Sequence, residues 1–155
     1  MPSTHSLLQQ LYTGLDQHNH KAMDACYHPN ATFRDIAFDL NGKKQIHAMW
    51  HMICDGDIRA TFNIVQADEQ NGTVNLVDDY TFSSTGRRVH NVIDSRLRFR
   101  DGLIIEHHDS CDPRVWAEMA LGGAGGWLAG RFRVLRSFKA GEKLRAFIVK
   151  HPEYQ

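Results

Sequence analysis

Four stretches of this chain, Ala60–Ala67, Thr73–Phe82, Val89–Phe99 and Leu103–Cys111, alternate apolar and polar residues in twos. That period belongs to strands with one buried face. Between them stand Asn71-Gly72, Ser83-Ser84-Thr85-Gly86 and Asp101-Gly102, residues that turn a hairpin. Strands joined so briefly pair antiparallel, because a parallel crossover needs a dozen residues or more. One meander is therefore expected, and the rest of the chain must pack on it.

The chain before the meander reads mainly as helix. Leu7, Leu8, Leu11, Tyr12 and Leu15 share one helical face, with Ser6 and Gln9 as a capping box at its start. Asn19 caps a second short helix that buries Met23, Cys26 and Tyr27, and Pro29-Asn30 breaks it. Ala31–Phe38 reads as a strand. Asn41-Gly42 opens a third helix carrying Ile46, Met49, Trp50 and Ile53, which Asp55-Gly56-Asp57 stops. After the meander, Asp112 as N-cap and Pro113 at the first helical position start another helix, and Gly122-Gly123 end it. The pattern is α+β.

Charge narrows the partners. Eighteen Lys and Arg balance eighteen Asp and Glu, so the chain carries no net field toward nucleic acid. The balance is uneven, however. Residues 131–155 hold seven basic residues against two acidic ones, leaving this tail at +5 and the first 130 residues at −5. Residues 127–150 read as an amphipathic helix, broken at Gly141, whose Phe and Leu side chains pack on the domain or on a second copy. Membrane contact through it is not expected. Three cysteines without metal-type spacing, no signal peptide and no long apolar run point to a cytoplasmic protein.

The inward face of the meander is unusual. Asp78 and Tyr80 lie among the apolar residues of one strand, Asn91 and Ser95 among those of the next, and His107 and Asp109 among those of the last. A buried carboxylate is costly unless paired or neutralised, so this arrangement points to a polar-lined cavity. Cys111 lies on the same face without an evident activating partner beyond His107 or Asp109. His47 and His51 stand four apart on the third helix, a spacing that suits a metal. With no His-Glu-x-x-His pattern and no third ligand fixed by sequence, the pair reads as a solvated helix edge, and no metal or other cofactor is expected.

Three segments resemble a known family. His28-Pro29-Asn30-Ala31-Thr32-Phe33-Arg34-Asp35 is similar to the strand entry of SnoaL-like, ketosteroid-isomerase-like proteins of the nuclear transport factor two-like superfamily. Phe99-Arg100-Asp101-Gly102, running on through Leu103 to Asp112, resembles their pair of strands ending in an acid. Trp116 to Gly122 is similar to the helix that follows in many of them. The resemblance, over residues 6–121, implies a curved antiparallel sheet wrapped around the N-terminal helices as a cone, with a pocket at its open end and commonly a dimer. It divides the chain into a cone domain, 1–121, and a basic helical extension, 122–155, packed on it as a single domain overall.

For chemistry, the resemblance assigns Asp35 to the base position of ketosteroid isomerases. The oxyanion positions fall on Leu11, next to Tyr12, and on Ser95, next to Asp94, so that pair is displaced. Asp109 matches the acid that ends the last strand in limonene-type epoxide hydrolases and SnoaL-type cyclases, with His107 beside it. The partner positions of the epoxide-hydrolase set fall on Asp78 and Tyr80. The expectation is acid–base catalysis without a cofactor on a small hydrophobic molecule, of isomerase, cyclase or epoxide-hydrolase type. Asp109, Asp35 and His107 are its catalytic candidates, and Tyr80, Asn91, Asp78, Tyr12, Trp50 and Ser95 its ligand contacts. A non-catalytic binding or dimerisation module is the alternative.

Overall fold

The computed structural model describes residues 3–123 and 133–155, apart from the side chains of 133–138. Six strands form one curved, unclosed sheet in the order β2-β1-β6-β5-β4-β3. They are β1 (Tyr27–Arg34), β2 (Asp39–Asn41), β3 (Arg59–Ala67), β4 (Asn71–Phe82), β5 (Arg87–Arg100) and β6 (Leu103–Ser110). The meander β3 to β6 is antiparallel throughout. β1 adds to it parallel to β6, setting Phe33 opposite His107.

Helices α1 (Thr4–Asp16), α2 (His20–Asp24) and α3 (Lys43–Cys54) fill the hollow of the sheet. Leu7, Leu8, Leu11, Tyr12 and Leu15 of α1 are all buried, as are Ile46, Met49 and Trp50 of α3. They share one core with Val74, Leu76, Ile93, Leu97 and Phe99 of the sheet. α4 (Pro113–Leu121) begins as expected, with the Asp112 carboxylate accepting from the amides of Arg114 and Val115.

Several local expectations are corrected. The cap of α1 is Ser3, whose hydroxyl oxygen accepts from the Ser6 amide, so the helix starts a turn's length earlier than a Ser6–Gln9 box implies. Asn71-Gly72 is not the turn between β3 and β4. Asp68 makes that turn, its carboxylate accepting from the amides of Gln70 and Asn71. Gly72 instead lies inside β4, where a Cβ would stand 2.9 Å from Leu8 Cδ1. Its missing side chain is the room that lets α1 seat on the sheet. Asp101-Gly102 does turn as read, with both residues at positive φ.

The strand expected over 31–38 ends at Arg34, because Asp35 accepts the amides of Ala37 and Phe38 and turns the chain into β2. Strict alternation in β6 would turn Leu103 and Ile105 inward. A register shift between Ile104 and Glu106 puts Ile104 in the core instead, and His107 and Asp109 keep the inward face.

The C-terminal helix, α5 (Arg133–Lys150), runs unbroken through Gly141. Leu144 is buried, and Phe147 and Ile148 pack against the core. Tertiary contact here overrides a glycine penalty of about 1 kcal/mol. Residues 127–132 of the expected helix lie outside the described residues. No helix among the described residues is long and apolar enough to cross a membrane.

Candidate functional site

A cavity of about 530 Å³ opens between the sheet, α3, α4 and α5. Its walls are mostly apolar, with Ile36, Phe38, Met52, Ile53, Ile58 and Phe82 prominent among them. Four polar side chains of the sheet, Asp78, Tyr80, Asn91 and Asp109, reach it together with Asp35 and Trp50. Period-two alternation places the first four on one face, and the pairing Asp78 to Asn91 puts two of them side by side.

Behind Asp109 stands a closed chain of hydrogen bonds. Trp50 Nε1 donates to the Tyr27 hydroxyl at 3.0 Å, and that hydroxyl meets His107 Nδ1 at 2.8 Å. His107 Nε2 lies 2.7 Å from Asp109 Oδ1, and the Ser95 hydroxyl donates to the same oxygen at 2.6 Å. Indole nitrogen only donates, so the Tyr27 proton is left for His107 Nδ1. His107 then carries its proton on Nε2 and gives it to Asp109. Burial raises the Tyr27 and Tyr12 hydroxyls well above the ordinary phenol range, with the Asp109 charge adding in the same direction. Both therefore remain O–H donors.

The geometry sorts the candidates into two layers. Asp109, Asp78, Asp35, Tyr80, Asn91 and Trp50 line the cavity. His107 and Ser95 are almost wholly enclosed and reach it only through Asp109. Tyr12 is also fully buried, its hydroxyl 3.5 Å from His107 Nε2. These three hold Asp109 in place and do not line the cavity. Tyr27 belongs with them and was legible only as a core residue, because nothing local in its segment marks a polar role. Trp116 is a further gain, its Nε1 donating to the Tyr80 hydroxyl at 2.7 Å.

The two sheet carboxylates stand in opposite circumstances. Both hydrogen bonds to Asp109 converge on Oδ1, leaving Oδ2 for an occupant of the cavity. Asp78 Oδ1 is buried and has no hydrogen-bond partner among the described residues. Loss of solvent, followed by the charges of Asp109, Asp79 and Asp35, pushes the Asp78 carboxyl well above the usual range. Asp78 is thus biased toward its protonated form, beside an Asp109 whose Oδ1 is held by two partners. Asp35 also reaches the cavity, with one oxygen committed to its turn.

The expected solvated edge of α3 is the clearest correction among the sites. His47 and His51 are only 18% and 17% exposed. His20 stacks on His51 at 3.8 Å between ring centres, and its Nδ1 is 2.8 Å from His47 Nε2. The C-terminal turn Pro152–Tyr154 covers the other side, with the Tyr154 hydroxyl 2.9 Å from His51 Nδ1. A docked terminus that no spacing rule foresees covers this edge.

The curved, unclosed six-stranded sheet with helices packed in it is the cone fold of the nuclear transport factor two-like class. The SnoaL-like domain model matches residues 8–107, and the chain belongs to that family. Among solved structures, it is similar to a putative polyketide cyclase from a Silicibacter species, at 14% identity and a TM-score of 0.69, covering 76% of this chain and 95% of that one. An NTF2-like protein of unknown function from Burkholderia pseudomallei matches at 13% and 0.67, over 78% and 99%. An epoxide hydrolase from M. tuberculosis, described as LEH-like, matches at 15% and 0.61, over 83% and 91%. No curated protein matches the chain.

Proposed function

We propose that the cavity performs acid–base chemistry on a small, largely apolar molecule bearing a carbonyl or epoxide oxygen. One observation carries this reading: two carboxyl groups, Asp78 with a buried and unpartnered Oδ1 and Asp109 with Oδ1 held by Ser95 and His107, share a single apolar cavity. Environments that separate two carboxyl groups in this way divide the roles of acid and base between them. Asp78 donates its hydrogen bond or proton to the substrate oxygen. Asp109 Oδ2 takes a proton from the neighbouring carbon or from an attacking hydroxyl. The imidazole of His107 and the hydroxyl of Ser95 steady the Asp109 carboxylate, so they are positioning residues. Tyr80, Asn91 and Trp50 contact the substrate, and the apolar walls hold its carbon skeleton. Among the neighbours, the names cyclase and epoxide hydrolase fit this kind of reaction.

The test is hydrogen–deuterium exchange beside the carbonyl of small apolar ketones, with hydrolysis of small apolar epoxides followed in parallel. Asp109→Asn is expected to lower the active reaction by about 100-fold or more. Asp78→Asn should lower it less, because an amide still donates. An Asp109→Asn protein as active as the parent would overturn the assignment. Binding of apolar molecules with no turnover of any would establish the binding module instead.

A further inference from the structure

Around His51 the structure gathers ligand atoms that the cavity chemistry does not use. His51 on α3, His151 just past α5 and Glu153 in the C-terminal turn each offer one, and all lie within 4.8 Å of one another. We propose that these three residues bind a divalent first-row transition ion of the zinc class. Two imidazole nitrogens and one carboxylate oxygen suit zinc, nickel or cobalt and do not suit magnesium or calcium, which prefer all-oxygen sets.

The hydrogen bonds around the imidazoles support this reading. His151 Nδ1 donates to the Phe147 carbonyl oxygen at 2.8 Å, so its Nε2 presents a lone pair. A backbone carbonyl on the far nitrogen is how metal-ligating histidines are commonly oriented. The Tyr154 hydroxyl lies 2.9 Å from His51 Nδ1 and fixes the orientation of that ring. Packing holds the rings as well: His51 meets His151 edge-on at 4.9 Å, and His151 stacks on Phe147 at 3.9 Å. Ion binding needs unprotonated imidazole.

Glu153 is exposed and free to swing, which closes the 4.8 Å spread toward the separation of about 3–3.5 Å that metal–ligand bonds of ~2.1 Å impose. Three protein ligands leave at least one position for water. The ion would clip the C-terminal turn to α3. It lies among the residues on the outer side of that helix, apart from Asp78 and Asp109.

The experiment is calorimetric titration of full-length, tag-free, chelator-stripped protein with zinc and with nickel, together with thermal melts. One ion per chain is expected, and Tm should rise by roughly 5–10 °C at free ion a hundred times Kd. Glu153→Gln, at an exposed position that leaves folding intact, and His151→Ala should each weaken binding about tenfold or more. His90→Asn and His108→Asn, outside the cluster, should leave it unchanged. No binding at about 100 μM ion would overturn the proposal. So would binding that survives both cluster substitutions, which would move the ion to His20, His47 and Asp24.

Discussion

Two histidine environments pack against α3, one at Trp50 and one at His47 and His51, and they are built on different principles. On the inner side, His107 is completely enclosed, and each of its nitrogens has a named partner in a chain from Trp50 to Asp109. On the outer side, His20, His47, His51 and His151 are half-buried and meet mainly ring against ring. The inner site is a hydrogen-bond network in which both imidazole nitrogens of His107 are committed, so losing that ring removes a partner from Tyr27 and from Asp109. The outer site is a packing surface whose nitrogens remain partly available. Enclosure makes a polar group a structural commitment, and partial exposure leaves it adaptable.

The largest expected effect tests that contrast directly. His107→Ala should cost about 3–5 kcal/mol in urea unfolding, because it strands the Asp109 carboxylate and the Tyr27 hydroxyl inside the core. His47→Ala should cost about 1 kcal/mol or less. Equal losses would mean that the outer cluster is as tightly committed as the inner network.

The two regions should also answer pH in opposite directions. The folded-state pKa of Asp78 is raised, so the folded protein holds a proton that the unfolded chain has released. Its contribution is complete below about pH 3.9 and is lost as pH rises toward the folded value. His20 and His47 are lowered, chiefly by burial; for His47 the Asp24 charge opposes the shift. Their contribution is complete above about pH 6.5 and is lost as pH falls below it. Asp78→Asn should therefore gain over the parent by roughly 1.4 kcal/mol for each pH unit between about 3.9 and the folded value, with the gain vanishing in acid. Urea midpoints from pH 4 to 8 would show it. A constant difference across that range would mean that Asp78 is not held neutral.

The smallest effect concerns the tail. Lys143 Nζ bonds the Ser83 and Ser84 hydroxyls and lies 5.0 Å from the centre of the Phe82 ring. All of this is near solvent, so Lys143→Ala should change stability by less than about 0.5 kcal/mol, and added salt should do little. Leu144, Phe147 and Ile148 carry the attachment of α5. A large salt effect on unfolding would show instead that charge holds it.

Much of the fold was legible because local rules decide it. Period-two patterns and short turns set the meander, and Asn19 and Asp112 cap the helices they were expected to cap. The same alternation selected Asp78, Tyr80, Asn91 and Asp109 before any distance was known, and all four reach the cavity. Where two local signals competed, sequence alone chose wrongly. Asn71-Gly72 carries turn chemistry, yet Gly72 serves the contact with Leu8. Gly141 carries a helix-breaking signal, yet the packing of Leu144 and Phe147 continues the helix.

By itself, then, the sequence determined the helices before the meander, the antiparallel order of the meander and the side of the sheet that carries the acids, but neither β2 nor the start of β1 at Tyr27. Each depends on residues a few positions apart. The tertiary structure alone decided that Tyr27 joins His107, that Ser95 and His107 stand behind Asp109 and that Asp78 Oδ1 has no hydrogen-bond partner among the described residues. It also brought His151 and Glu153 to His51. The meetings of Tyr27 with His107 and of His51 with His151 and Glu153 span about 80 to 100 residues of chain. Whether a polar group is satisfied, neutral or free to bind depends on what arrives from such distances, and no spacing along the chain encodes it.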